Sequence, residues 1–262
     1  MKPVYLKVLI IAAIMSMACT TKVSEWVLLN SFADKYRLVY YHKGSTGDEA
    51  AEQNRKIENW SGTTNIVFRS AINETIDKPY YALYYGDRLI EKYDNYSSIS
   101  DITSSPLREI VVEDLMAGKL CVMLYLKSGN DEKDDQGIQT TKKALAASPF
   151  RDIITFIELE RSSIPEKHLV SMLLNVESDL KEIYEPMLFG VFGRFRALEP
   201  LLGRGITEEN ITLLIDFLTA DCSCLIKDNL PGMSILCKAK WERPAPAMVN
   251  AILDANPYLL HK

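Results

Sequence analysis

The 262-residue chain has little histidine, few glycines and no excess of positive charge. Its three histidines, His42, His168 and His261, lie far apart, so no two-histidine zinc motif is present. A nucleophile elbow and a glycine loop for cradling phosphate are also missing. A formal net charge of −5 opposes binding to nucleic acid, whose phosphates require a basic surface. These absences leave the chain without common catalytic motifs; the expectation of a non-enzymatic role rests on the repeat described below.

The N-terminus has charged, apolar and small residues in the order of an export signal. Lys2 and Lys7 precede an apolar run over residues 8–15, and Ala18 directly precedes Cys19. The run is shorter than the roughly 20 residues that a membrane-spanning helix needs. Residues 1–18 are therefore predicted to be a signal peptide.

The Ala18–Cys19 pair resembles the cleavage site of bacterial lipoproteins, although Ser16 stands where a large aliphatic residue is usual. The resemblance implies a lipid on Cys19 and a membrane-anchored protein that faces the periplasm or the cell exterior. The alternative is an ordinary secretory signal with an incidental cysteine. Residues 19–35 are interpreted as a linker between this anchor and the folded part.

The rest of the chain contains an internal repeat. Two stretches have the same order of strand, polar acidic loop, helix and second strand; the first strands are 38–44 and 122–128, the helices 50–60 and 137–148, and the second strands 65–69 and 152–157. Pro79 and Gly86 are separated from Pro186 and Gly193 by the same number of residues. The second copy carries an insertion at 165–183, whose apolar spacing predicts an extra amphipathic helix.

This element order resembles the thioredoxin fold, in which a proline opens the third strand and a hairpin glycine precedes the last helix. Pro79 and Pro186 are the signature prolines that the resemblance implies. The predicted fold is α/β, with two tandem thioredoxin-like domains, each a central mixed sheet flanked by helices. The predicted organisation is domain 1 over 36–119, domain 2 over 120–225, and a C-terminal tail over 226–262 packed on domain 2.

The thioredoxin family places a CxxC motif where the first strand meets the helix, and this chain has no cysteine there. The equivalent residues are 46–49 in the first copy and 130–133 in the second. Without a thiol at the helix N-terminus, dithiol exchange of the thioredoxin type cannot occur. The resemblance therefore implies two redox-inactive modules for binding or assembly, with another envelope protein as the expected partner.

Residues 189–196 and 222–232 also resemble a family of bacterial envelope lipoproteins. This second resemblance implies a location in the cell envelope and adds nothing about mechanism. It agrees with the export signal at the other end of the chain.

Three cysteines lie close together near the C-terminus: Cys222, Cys224 and Cys237. Three thiols could hold Cu(I) or Zn(II). An exported protein meets oxidising conditions, so a disulfide from Cys222 or Cys224 to Cys237 is the other interpretation. A redox-active or unpaired set remains a third. The favoured function needs no cofactor, and copper or zinc belongs to the alternative, a metal or thiol-redox protein.

Arg194 and Arg196 flank Phe195, and alternation along a strand would place both arginines on one face. Together with Arg204 they could bind a carboxylate or phosphate. The plainer interpretation is a solvated turn in an acidic protein.

The first copy is rich in tyrosine, at positions 40, 41, 80, 81, 84 and 85. Core packing with hydroxyls that reach the surface is the default explanation. A binding face on the first copy is the sharper alternative.

Overall fold

The computed structural model describes residues 23–220 and 229–241, which form two mixed β-sheets with helices. The first module contains β1 (Tyr36–His42), α2 (Asp48–Glu58), β2 (Ile66–Ile72), β3 (Tyr80–Tyr85), β4 (Arg88–Tyr93) and α3 (Pro106–Met116), and it is preceded by α1 (Val23–Asn30). The second contains β5 (Cys121–Leu126), α4 (Asp131–Ala147), β6 (Ile154–Leu159), α5 (Lys167–Leu173), β7 (Met187–Phe192), β8 (Arg196–Ala197), β9 (Leu201–Leu202), α6 (Glu208–Thr219) and β10 (Met233–Ser234).

Short 3-10 helices lie at Asn59–Gly62, Tyr96–Ser98, Arg151–Ile153, Leu180–Glu182 and Gly203–Gly205. Within the described residues, no helix combines the length and the hydropathy needed to cross a bilayer.

The first sheet has the strand order β2-β1-β3-β4. β1 runs parallel to β2, with Tyr36 opposite Ile66, and antiparallel to β3, with Tyr36 opposite Tyr85. The aromatic and β-branched residues of these strands suit a pleated, half-buried surface. β3 and β4 are antiparallel, with a register shift at Leu83–Tyr84.

The second sheet repeats this arrangement. β5 is parallel to β6 and antiparallel to β7, and the order is β10-β8-β7-β5-β6, with β9 also paired to β7. Every residue of β5 is buried, as expected for a central strand covered on both faces. The extra helix predicted within 165–183 is α5.

The alternation of β5 divides its side chains between two hydrophobic cores. Val122 and Leu124 join a core shared by both modules, which includes Tyr36 and Leu83 of the first sheet. Met123 and Tyr125 face the opposite way and pack with α4 and α6. Because one core is common to the two sheets, the modules do not bury their apolar surfaces independently.

Residues 23–30 form a helix, whereas the sequence predicts a linker over 19–35. The Val23 N–H donates to Ala220 O and the Ser24 hydroxyl to Leu218 O, both at 3.0 Å. Val23 and Val27 are buried in the core of the second module that contains Met123 and Tyr125. The segment Val23–Asn30 is short and largely apolar, so it gives only a weak form of the amphipathic period that signals a surface helix.

The tail is held by both modules, although the sequence predicts contact with the second alone. Met233 pairs with Ala197, which adds β10 to the second sheet. Beyond it, the Cys237 N–H donates to Asn65 Oδ1 at 3.1 Å, and Asn65 Nδ2 donates to Ile235 O at 3.2 Å. Thr64 and Lys238 form a further antiparallel bridge. The tail therefore fastens the first module to the second.

Candidate functional site

The two modules have clefts at the same place in the fold. Each cleft lies between the N-terminus of the helix after the first strand, the proline before the third strand, and the loop after the hairpin. The cleft of the second module has a volume of about 1000 Å³, and that of the first about 660 Å³. In the thioredoxin fold the CxxC motif lies at this helix N-terminus, so both clefts are at the position of that motif. The cleft of the second module is the larger of the two, and it is the candidate site.

Asn130 begins the helix that borders the larger cleft. Its side chain accepts from the Lys133 N–H at 3.1 Å, and acidic residues fill the first turn, where the helix dipole favours negative charge. The helix therefore starts at Asp131, six residues before the sequence prediction. The acidic stretch that the sequence suggests is loop is the first turn of α4.

Lys133 and Glu185 connect two walls of this cleft. Lys133 Nζ lies 2.6 Å from Glu185 Oε1, so the helix start is joined to the loop that contains Pro186. Both side chains are about half exposed, at 49% and 43%, so solvent screens the pair and it adds little stability. An ion pair of this kind can exchange its internal partner for a charged group of a ligand.

Asp134 orders the loop below the helix start. Its carboxylate is buried and accepts from the N–H groups of Ser128 at 2.8 Å and Gly129 at 2.9 Å. The Ser128 hydroxyl also donates to it, at 3.1 Å. With its acceptor sites used in this way, Asp134 serves to hold the loop.

The floor of the cleft is made by close approach of α4 to β5. A Cβ built at Gly137 would lie 2.2 Å from Tyr125 Oη, so only glycine fits there without displacement. The Tyr125 hydroxyl donates to Asp134 O at 3.2 Å. Burial raises the pKa of Tyr125 well above its ordinary value, which keeps this hydroxyl a neutral donor.

The third wall is the loop 203–207. Gly203 has φ of +43°, a conformation that favours glycine, and its N–H donates to Pro186 O at 2.8 Å. Thr207 then caps α6 by accepting from the Asn210 N–H at 3.1 Å. The Lys143–Glu208 ion pair, at 2.6 Å, links this wall to α4.

The smaller cleft has the same framework with different chemistry. Gly47 precedes α2 and gives no side-chain cap, and Gln53 donates to Glu49 at 3.0 Å along the helix. The Tyr81 ring lines the cleft, and its hydroxyl donates to Asn54 Oδ1 at 3.1 Å. Lys78 lines this cleft beside Pro79, whereas Lys133 pairs with Glu185 across the larger cleft.

Among the described residues, no cysteine lines either cleft. Cys121 begins β5, is fully buried, and has a pKa that burial raises well above the ordinary range. Cys237 is also buried and forms no disulfide with another described residue, and burial raises the pKa of its thiol to about 12. Neither of these two thiols is in the thiolate form that exchange chemistry requires.

The predicted Cys222, Cys224 and Cys237 site is described only in part, because the first two residues and Cys19 lie outside the described ranges. Over 23–220 and 229–241, no three His, Cys, Asp or Glu side chains are grouped closely enough to hold a metal ion. The pairing of Cys222 and Cys224 stays a prediction.

The three arginines of the predicted anion site do not share a face. Gly193 and Phe195 have φ near +58° and +57°, so the chain turns where the sequence predicts an alternating strand. Arg194 is buried, donates to Leu28 O at 3.0 Å and lies over the Phe32 ring. The chain itself therefore uses one of the three guanidinium groups to hold α1.

Arg196 points elsewhere and is also used internally. Its guanidinium donates to Gly232 O and to Asp34 Oδ2, each at 2.5 Å. Arg204 is exposed and lines the larger cleft. Of the three, only Arg204 is placed where it could meet a ligand of the second module.

Both signature prolines lie directly before a strand, Pro79 before β3 and Pro186 before β7. All peptide bonds of the described residues are trans, which differs from the cis-proline of the thioredoxin family. Local sequence patterns do not predict that Lys133 pairs with Glu185, because the insertion separates the two walls along the chain.

No protein-family model and no curated protein sequence matches the chain. Among solved structures, the first two thioredoxin domains of Eps1p from Naumovozyma dairenensis are 16% identical, with 77% of this chain and 97% of that chain covered and a TM-score of 0.27. Human ERp44 form I is 12% identical, with 89% and 64% covered and a TM-score of 0.29. By strand order and connections, the chain is a protein of two tandem thioredoxin-like modules.

Proposed function

We propose that this chain is a thiol-independent binding protein of the cell envelope, in which the cleft of the second module holds a segment of a partner protein. The chemistry of the cleft supports this proposal. At the helix N-terminus, an amide, carboxylates and the Lys133 ammonium group occupy the positions where the fold family has thiols. Such groups bind by charge and hydrogen bonds, and they cannot exchange disulfides.

The cleft is suited to a polypeptide because it combines apolar and polar walls. Ile183, Leu202 and Ile206 provide apolar surface, and Lys133 and Arg204 provide cationic donors. Binding sites typically consist of a mostly apolar surface with a few placed polar groups that set orientation. We infer that the partner segment has an apolar side chain and a nearby carboxylate, which would replace Glu185 as the partner of Lys133.

The envelope location rests on the N-terminal sequence. Export through the signal over residues 1–18 and a lipid on Cys19 would hold the modules at a membrane surface. The chain would then act as an anchored adaptor for another envelope protein. The net charge of −5 opposes adsorption of the whole chain on anionic lipid, so the proposed anchor supplies the membrane contact.

The experiment is selection of peptides on the full chain from a random library, followed by measurement of their affinities for two matched variants. Gln136 and Gln53 occupy the same position in α4 and α2, and each lines the cleft of its module. Gln136→Trp places an indole ring in the larger cleft and should weaken selected peptides by about tenfold, because it obstructs part of the space that they occupy. Gln53→Trp does the same in the smaller cleft and should leave their affinity unchanged.

A second assay on the same preparations tests whether the protein exchanges disulfides. Insulin reduction and disulfide isomerisation are measured for the full chain and for the Cys222→Ser/Cys224→Ser variant. We expect no activity in either. Activity of the wild type that is lost in the double variant would overturn the proposal in favour of a thiol-redox function. In the peptide assay, equal affinity for the wild type and for Gln136→Trp would show that the peptides do not bind in the larger cleft.

A further inference from the structure

One face of the first sheet carries no helix within the described residues. The strand register places Val39 beside Ala82 and Arg69 on this face. Leu38 and Leu83 lie on the opposite face, where they enter the core that both modules share. The difference comes from the repeat: the second module has α5 between its second and third strands, whereas the first module joins β2 to β3 by a loop.

Three tyrosines form a continuous aromatic surface on the open face. The rings of Tyr41 and Tyr80 have centroids 5.2 Å apart, and the Tyr41 and Tyr84 hydroxyl oxygens lie 3.3 Å apart. All three side chains are partly exposed, while Val39 and Ala82 between them are buried, at 5% and 0%. The result is a sheet-supported platform of aromatic rings with hydroxyl groups at its surface.

Cations surround this platform. The Arg37 guanidinium lies 5.0 Å from the centre of the Tyr84 ring, and Lys92 Nζ lies 5.1 Å from the centre of the Tyr80 ring. Arg69 is exposed on the neighbouring strand. Among the described residues, the acidic group paired with these three cations is Asp87, which is fully exposed and 3.9 Å from Arg37. Such a contact is too weak to neutralise the surface.

We define the tyrosine face by six residues: Arg37, Tyr41, Arg69, Tyr80, Tyr84 and Lys92. Its positive charge is local, because the chain as a whole carries a net charge of −5. We propose that the tyrosine face binds an anionic polysaccharide whose sugar rings carry carboxylates. The apolar C–H face of a pyranose ring stacks on a tyrosine, and the carboxylate meets Arg69 or Lys92 in a charge-assisted hydrogen bond.

The shape of the tyrosine face favours a glycan over a polypeptide. Extended peptides add to a sheet edge and helical peptides enter grooves, and this surface is the middle of a sheet face. Single-stranded nucleic acid also stacks on aromatic rings, but it requires a cationic groove along its closely spaced phosphates. The cations of this face lie beside the aromatic rings, where carboxylates on stacked sugar rings can reach them. The proposal does not depend on the cleft of the second module.

The test uses fluorescently labelled hexagalacturonate and the full chain, with binding followed by fluorescence polarisation at about 0.15 M ionic strength. Arg69→Gln/Lys92→Gln removes two cations of the tyrosine face, and Arg151→Gln/Lys181→Gln removes two exposed cations of the second module. We expect the first double variant to bind at least about tenfold more weakly and the second to bind like the wild type. Tyr41→Phe/Tyr84→Phe keeps the rings and should weaken binding less.

Circular dichroism of each variant establishes that the fold is intact, and all four substituted cations are exposed. Failure of hexagalacturonate to bind, or equal binding by both double variants, overturns the proposal. Equally tight binding of an oligothymidylate or of a poly-glutamate peptide would also overturn it, and would assign the tyrosine face to nucleic acid or to an acidic protein.

Discussion

The Glu166 carboxylate accepts a hydrogen bond at 2.8 Å from the backbone N–H of Leu107, in the first turn of α3. Glu166 belongs to the second module and Leu107 to the first. The same carboxylate accepts from the Ser105 hydroxyl, and only 3% of Glu166 is exposed. One module thus caps a helix of the other, at a helix start where no residue of α3 itself provides a side-chain cap.

Glu166→Ala should destabilise the protein because it leaves the partly buried Leu107 N–H and the buried Ser105 hydroxyl without their acceptor. The expected loss is about 1–3 kcal/mol in the free energy of unfolding, measured by urea denaturation. Glu177→Ala is the control, since Glu177 is exposed in the same insertion. If Glu166→Ala and Glu177→Ala change the free energy of unfolding equally, the contact between the modules contributes nothing to stability.

Gly137→Ala should destabilise the second module because the new methyl group would overlap the Tyr125 hydroxyl. The expected cost is about 1–3 kcal/mol. Adding Tyr125→Phe removes the nearest atom and should restore part of the loss, which a double-mutant cycle measures. Gly62→Ala, where nothing lies within 4 Å of the added group, is the control. If the loss of stability in the double variant equals the sum of the losses from Gly137→Ala and Tyr125→Phe alone, the two side chains do not clash.

Asp34→Ala should loosen the attachment of the tail. The Asp34 carboxylate accepts from Arg196 at 2.5 Å and from the Tyr85 hydroxyl, and Arg196 is buried. Loss of its acceptor leaves a buried guanidinium with one fewer partner, at a cost of about 1–2 kcal/mol. Hydrogen exchange at Ser234 reports the change. The control is Asp87→Ala, which removes a fully exposed carboxylate and should leave stability unchanged.

Stability should fall as the pH drops below about 6.5, the ordinary pKa of histidine, because of His168. Burial lowers the pKa of His168 in the folded state, and Lys167 and Arg108 nearby oppose protonation while Asp101 and Glu91 favour it. Below pH 6.5 the unfolded chain takes up a proton that the folded chain does not, so unfolding is favoured. The slope is at most about 1.4 kcal/mol per pH unit, down to the folded-state pKa.

The His168 contribution can be isolated by denaturant unfolding from pH 7.5 to 5. His168→Gln should flatten the decline of stability with falling pH. The same substitution at His42, which is buried in the first module, controls for loss of an imidazole. An unchanged slope in His168→Gln would assign the decline to other groups.

Cys237 should resist alkylation in the native protein, since it is buried and burial raises its pKa to about 12. Denaturation without reductant should expose a free thiol that iodoacetamide labels, as mass spectrometry can detect. A Cys237 that is labelled only after reduction would instead establish a disulfide, for which Cys222 and Cys224 are the predicted partners. Stoichiometric zinc or copper in the purified protein would support the metal alternative.

The sequence by itself determined the repeated order of strands and helices. Alternating apolar runs, prolines before third strands and caps such as Thr207 act locally, so they can be read from neighbouring residues. The absence of cysteine at both helix starts is likewise a property of the sequence. The sequence predicts a later start for α4 than the structure has, because Asp131 and Glu132 suit a polar loop as well as a helix N-terminus.

Only the tertiary structure decided how the parts meet. It placed Lys133 beside Glu185, turned Arg194 and Arg196 to different internal partners, and showed that the tail fastens both modules. These relationships join residues far apart in the chain, and they depend on how two sheets share one core. No local pattern encodes such contacts, because they arise only when burial of apolar surface brings the two modules together.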